Sequence, residues 1–96
     1  MSIITKTEDN TTTIALFGWL DASAAPKFAA AVAAVGQDTT KLVVDFKELE
    51  YICSAGLRQL VTAHKKMSGN LVIINASTEV REVLHMAGFD RRLNIA

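Results

Sequence analysis

The chain has a single cysteine, Cys53, so it cannot close an intramolecular disulfide. It has no surplus of charge: ten basic residues stand against ten acidic ones. A nucleic-acid partner needs a basic face, so nucleic acid is not expected as the main partner. No apolar run approaches the ~20 residues that cross a bilayer, so no membrane insertion is expected. The first residues, Met1 to Asp9, lack the apolar core of a signal peptide. These absences point to a cytoplasmic protein, where a lone reduced thiol is at home. The chain also lacks a Gly-x-Gly-x-x-Gly run, a P-loop, and any Cys/His cluster with metal-ligand spacing. No cofactor and no metal are therefore expected.

What is present is apolar residue, half of the 96. That is enough for one core and one domain over residues 1–96. Ile3 to Thr7 and Thr11 to Trp19 are β-branched runs separated by Glu8-Asp9-Asn10, a β-hairpin signal. Asp21 or Ser23 then caps a helix whose first turn tolerates Pro26. Ala24, Phe28, Ala31, Val32 and Val35 share its inner face, and Gly36 ends it. Its outer face is alanine: Ala29, Ala30, Ala33 and Ala34. Leu42 to Phe46 and Leu71 to Ile74 are unbroken apolar runs, as in parallel strands covered on at least one face. Between them, Ser54 to about Lys66 reads as a helix with Leu57, Leu60, Val61, His64 and Met67 in one arc. Ser77-Thr78-Glu79 opens a last helix with a stripe of Val80, Val83, Leu84 and Ala87, closed by Gly88. Leu93 to Ile95 reads as a short edge strand. Alternation after the hairpin predicts an α/β fold with a mixed sheet.

The most informative stretch is Asp45 to Val61. It reads as the end of a strand, a short loop and a helix opening at Ser54. A serine there faces free backbone N–H groups and the positive end of the helix dipole. The same setting would hold an added phosphate. On these residues alone, a plain helix cap carries more weight than a nucleophile or a switch. Ala55 and Gly56 make the helix start smooth, so that a partner's backbone can approach. Asp21 and Asp45 are candidates for a negative rim that attracts a basic partner.

Enzymatic readings are weaker. Cys53 beside a helix start is more often a packed thiol than a redox sensor. Trp19, Met67 and Met86 read as core or rim residues. His64 lies ten residues down the same helix, roughly 15 Å from Ser54, too far to act as its base. His85 remains as a base for a small Ser/Cys hydrolase, and nothing directs it to Ser54.

Asp45-Phe-x3-Glu-Tyr-Ile-Cys-Ser-Ala-Gly-Leu57 is similar to the signature of STAS domains, the family of anti-sigma factor antagonists. Gly18-Trp-Leu-Asp21 resembles that family's segment before its first helix, and Val80 to Phe89 resembles its last helix and turn. The resemblance implies a mixed sheet of four to five strands, a hairpin followed by βαβαβ, with three to four helices mainly on one face. It implies a non-enzymatic, protein-binding switch in bacterial transcription regulation. Such a domain sequesters an anti-sigma factor that is also a serine kinase. It is released when that kinase phosphorylates the serine matching Ser54, and a phosphatase resets it. Asp21, Cys53, Ser54, Ala55, Gly56 and Arg58 are then the partner-binding residues. A weak homodimer is a further expectation. The chain departs from the best-studied pattern at Cys53, where aspartate precedes the serine. The alternative is a STAS subunit of a larger assembly, stressosome-like or a lipid-transport ATPase, with Ser54 a structural cap.

Overall fold

The computed structural model describes residues 1–96. The hairpin forms where the β-branched runs place it. Strands β1 (Ser2–Glu8) and β2 (Thr11–Leu20) pair antiparallel, with Glu8 opposite Thr11. Asp9 turns the corner at φ +54°, a left-handed conformation that aspartate tolerates. Three parallel strands follow: β3 (Lys41–Ile52) on β2, β4 (Leu71–Ile74) on β3, and β5 (Asn94–Ile95) on β4. The five strands lie side by side in chain order. Helices α1 (Ala25–Ala33), α2 (Ser54–Lys66) and α3 (Thr78–Met86), and one 3-10 turn at Phe89–Arg91, complete the chain. Phe28, Leu57, Leu60, Val80 and Leu84 of the helices meet Ile14, Leu16, Val44, Phe46 and Ile73 of the sheet in one core. The expected mixed sheet with its helices on one face is what the chain builds.

The largest departure is β3. The sequence reading ends that strand near Phe46, but it continues to Ile52. Its buried residues alternate at Leu42, Val44 and Phe46, then recur every third residue at Leu49 and Ile52. The register with β2 explains the change. Ala15 faces Asp45 and Phe17 faces Glu48; Gly18 faces Leu49 and Trp19 faces Tyr51. Each step inserts one extra residue into β3, a bulge, which is rare between parallel strands. Lys47-Glu48 and Glu50-Tyr51 thus break the alternation and look like a loop. Asp45 is therefore mid-strand, roughly 20 Å before the strand's end at ~3.3 Å per residue. Its carboxylate accepts from Lys47 N–H and Asn75 Nδ2. It does not belong to a rim around Ser54.

Helix α2 is rotated slightly from its expected arc. Gly56, Leu57, Leu60, Ala63 and Met67 are buried, whereas Val61 and His64 are half-buried. Small residues at 56 and 63 let the helix settle close to the sheet. At its other end Lys66 has a role the sequence hides. Its Nζ donates to the carbonyls of Val32, Ala33 and Val35 at 2.7, 3.3 and 3.3 Å. It closes the C-terminus of α1, whose own last turn has no basic residue. Lys66→Met should cost about 1 kcal/mol in a denaturant titration, since one charged donor serves exposed carbonyls.

Helix α3 starts as expected, with Ser77 Oγ accepting from Val80 N–H at 3.1 Å. Its buried stripe is narrower than expected: Val80 and Leu84 are buried, Val83 and Ala87 exposed. Beyond it, His85 Nδ1 meets Asp90 Oδ2 at 2.5 Å. The hydrogen bond from Asp90, then its charge, raises the His85 pKa. The same bond lowers that of Asp90. The His85 contribution is complete below its ordinary value of 6.5 and is lost as pH rises through the raised folded value. The Asp90 contribution is complete above 3.8 and is lost as pH falls through the lowered one. The stability gap between wild type and Asp90→Asn should therefore peak between those pH values. It should shrink above neutrality, read as melting temperature against pH.

Candidate functional site

Two adjacent parallel strands end together here. Leu20 of β2 faces Ile52 of β3, and Cys53 N–H donates to Leu20 O at 3.0 Å. The next residues, Asp21 and Cys53-Ser54, leave the same end of the sheet side by side. Gly18 makes part of this geometry possible: its φ of +98° inside β2 is open to glycine and strained for other residues.

Helix α2 opens at Ser54, as the sequence predicts, but Ser54 is not its cap. The N-cap is Cys53, in extended conformation at φ −105° and ψ 176°, and no side chain caps the helix. Ser54 is the first helical residue and is exposed. The first bond of the helix runs from Leu57 N–H to Cys53 O at 3.0 Å. The N–H groups of Ser54, Ala55 and Gly56 thus precede the ladder. The capping role, favoured on local chemistry, is corrected: the hydroxyl is left free. Arg58, one turn on, is exposed on the same helix face as Ser54.

The other expected contact residues divide. Ala55 and Cys53 are half-exposed. Gly56 is buried, and its missing side chain faces inward. A Cβ there would lie 2.7 and 2.8 Å from the Leu20 side chain and 3.1 Å from that of Ile52. The close approach that Gly56 permits is internal, so it is not a surface contact. Asp21 is half-buried beside the loop, with its carboxylate turned to its own turn. Oδ1 accepts from Ser23 Oγ at 2.8 Å and Ala24 N–H at 2.9 Å. The Ser23 bond first, then that of Ala24, lowers its pKa, so it stays anionic. Asp21 therefore closes the turn that leads into α1 and puts a negative charge near the site, but the expected cap is corrected: the N-cap of α1 is Ala24, and neither Asp21 nor Ser23 caps the helix through its side chain.

The sequence reading missed the aromatic pair behind this loop. Trp19 and Tyr51 are 57% and 42% exposed, and their rings lie 5.0 Å apart at 36°. Trp19 was expected in the core or rim, as was Met86, which is 81% exposed; Met67 is buried. The alternation Leu16, Phe17, Gly18, Trp19, Leu20 already turns Trp19 outward. The second bulge, invisible in sequence, brings Tyr51 opposite it.

No surface hollow is lined by Ser54 or Cys53; one of about 500 Å³ lies to the side, against Trp19, Asp21 and Lys27. His85 is far from Ser54. Ser54 follows the C-terminal end of β3, whereas α3 runs back to the N-terminal end of β5, carrying His85 there. The arrangement offers an exposed, unbonded hydroxyl at a helix N-terminus, outside any surface hollow. It suits contact with a macromolecule better than enclosure of a small substrate.

Comparison with known proteins agrees with this geometry. The family model described as Mlab, STAS domain matches residues 3–95. BtrV of Bordetella bronchiseptica, which bears the name of an anti-sigma factor antagonist, is 35% identical over 78 residues, 77% of this chain and 67% of its own. An anti-sigma factor antagonist from Mycobacterium paratuberculosis superposes with a TM-score of 0.87 at 23% identity, over 98% of this chain and 83% of that one. The anti-sigma factor antagonist SpoIIAA superposes in its unphosphorylated form with a TM-score of 0.83 at 24% identity, covering 99% and 88%. The phosphorylated form of the Bacillus protein gives 0.74 at 23%, covering 99% and 91%.

Proposed function

Because this chain belongs to the STAS domain family, we propose that it is an anti-sigma factor antagonist switched by phosphorylation of Ser54. The unmodified chain binds and sequesters an anti-sigma factor that is also a serine kinase. Phosphate on Ser54 ends the complex, and a phosphatase resets it. The chain itself performs no catalysis and works in the cytoplasm. The observation that carries the reading is the free, exposed hydroxyl of Ser54 at the first position of α2. A kinase can reach it without unwinding the helix. Once added, the phosphate meets the helix dipole and the unladdered N–H groups, so the fold accommodates it. The relative BtrV and the two forms of SpoIIAA support the direction of this reading.

The partner surface comprises Ser54, Ala55, Arg58, Cys53 and the Asp21 turn. Cys53 tests which kinase fits, because its half-exposed side chain stands where the best-studied pattern has aspartate. That same departure favours a second reading, a subunit of a larger assembly in which Ser54 is an unmodified contact residue. Intact-mass measurement after incubation with ATP and the host's candidate anti-sigma kinases separates the two. The switch predicts a gain of one phosphoryl group that maps to Ser54 and disappears in Ser54→Ala. No gain with any of those kinases overturns it.

A further inference from the structure

We propose that the exposed Trp19–Tyr51 pair is a second contact of the switch, an anchor on which the anti-sigma partner seats a cationic side chain, an arginine. On the reading of Ser54 above, on which this assignment rests, the aromatic pair supplies the grip and Ser54 supplies the release.

Strands β2 and β3 run on together after their neighbours have stopped. The last strand partner on one side is Ser2 of β1, opposite Phe17; on the other it is Ile74 of β4, opposite Asp45. Beyond those levels, Gly18 to Leu20 and Leu49 to Ile52 form a two-stranded ribbon with no strand on either flank. Its inner side is sealed, because Leu20, Leu49 and Ile52 are buried in the core. Away from the core stand Trp19 and Tyr51, opposite each other in the register and both exposed. Their rings lie 5.0 Å apart and tilted, an arrangement that is favourable in itself, so the pair is formed before any partner arrives. Tryptophan and tyrosine bury much area at little rotamer cost, which is why so few of them carry so much of an interface.

Position and charge commit this anchor to the partner that reads Ser54. Asp21 follows Trp19 by two residues, and Cys53 follows Tyr51 by two, with Ser54 next. Two residues of strand are roughly 7 Å, and a standard interface covers ~800 Å² on each partner, so a protein seated on the Ser54 loop reaches the rings as well. Trp19 and Asp21 also border one hollow, which Lys27 closes from α1. Over the ribbon and its exits, Leu16 to Asp21 and Lys47 to Cys53, three acids, Asp21, Glu48 and Glu50, stand against one base, Lys47. Glu50 is the residue that the second bulge adds beside Tyr51, and it is exposed. Lys27 and Arg58 belong to helices α1 and α2, off the ribbon. Aromatic faces edged by carboxylates favour a cation. The flat, weakly hydrated guanidinium of arginine stacks on tryptophan while it pairs with a carboxylate.

The probe is the host anti-sigma kinase that phosphorylates Ser54 in the intact-mass measurement, titrated in ADP so that no phosphate is transferred. Trp19→Ala and Tyr51→Ala should each weaken binding about tenfold or more, and Glu50→Lys several-fold. All three side chains are exposed, so the variants should melt close to wild type. Trp19→Leu keeps an apolar side chain without a π face and should lose nearly as much as Trp19→Ala, whereas Trp19→Phe should lose less. With ATP, the same substitutions should raise KM for phosphorylation of Ser54 and leave kcat unchanged, which separates lost docking from a displaced hydroxyl. Wild-type affinity in Trp19→Ala and Glu50→Lys, with Ser54 still phosphorylated, overturns the anchor and leaves the switch standing. Wild-type affinity in Trp19→Leu also overturns it, because no cation would then be needed. Failure of every host kinase to modify Ser54 overturns the switch, and the anchor with it.

Discussion

Ser54→Asp is expected to weaken binding to the anti-sigma partner about a hundredfold while leaving the domain folded. The two halves of this result have separate causes. Ser54 is exposed at the first position of α2 and its hydroxyl caps nothing, so its replacement breaks no bond of the fold. A carboxylate there meets the positive end of the helix dipole, and the melting temperature should hold or rise slightly. At the interface the same carboxylate is buried against a surface fitted to a neutral hydroxyl. An unpaired buried charge costs roughly 3 kcal/mol, which is about a hundredfold in affinity. Ser54→Ala should keep both affinity and stability, because the bond it would delete is absent. Calorimetric titration of the three forms with the same partner measures the difference. Equal affinity of wild type and Ser54→Asp would sink the switch reading.

Gly56→Ala is expected to destabilise the domain by about 2 kcal/mol, roughly a 10 °C fall in melting temperature at this size. Helix propensity alone gives the opposite sign, since alanine improves on glycine by about 1 kcal/mol inside a helix. Packing decides. The new Cβ would stand 2.7 Å from Leu20 Cγ and 2.8 Å from its Cδ2, with Ile52 Cγ1 at 3.1 Å. Leu20 is fully buried and cannot swing aside, and two contacts fall under 3.0 Å. The overpacking cost therefore lies at the upper end of the usual range, about 3 kcal/mol, and leaves a net loss of about 2 kcal/mol after the propensity gain. Gly36→Ala is the control. Nothing lies within 4 Å of its added Cβ, and its φ is not left-handed, so stability should hold or improve. A thermal melt in which Gly56→Ala is as stable as Gly36→Ala would refute this account of the α2–sheet contact. The loss would also be felt at the site, since Leu20 and Ile52 lead directly into Asp21 and Cys53.

The two predictions show which parts of the site were legible. Ser54 could be placed at a helix start because an apolar arc with period 3.6 begins just after it, and α2 begins at that residue. Gly56 could not be placed on the right side of the helix. Its single hydrogen fits a partner's backbone and a buried leucine equally well, and only the register of β2 against β3 puts Leu20 beneath it. Asp21 was legible as a residue of the turn into α1, but its place in that turn was not: the cap expected of Asp21 or Ser23 falls to Ala24, which holds the position with no side-chain bond. Asp45 was misread because two bulges carry β3 well past it. Lys66 was assigned to its own helix end, yet its ammonium reaches the carbonyls of another helix more than thirty residues away.

By itself, then, the sequence determined what depends on neighbours along the chain. Those are the hairpin, the three helices, the starts of α2 and α3, the parallel strands, and the motif that carries the family resemblance. Each rests on a periodicity or a cap that spans a few residues. Tertiary structure decided what depends on residues brought together from afar. It freed the Ser54 hydroxyl by giving the N-cap position to Cys53, and it turned Gly56 inward. It lengthened β3 through bulges that shift the period of burial from two to three. It also gathered the helices onto one face of the mixed sheet. The physical reason is the same in each case. Local patterns report which way a side chain leaves its own strand or helix, but not what stands in front of it.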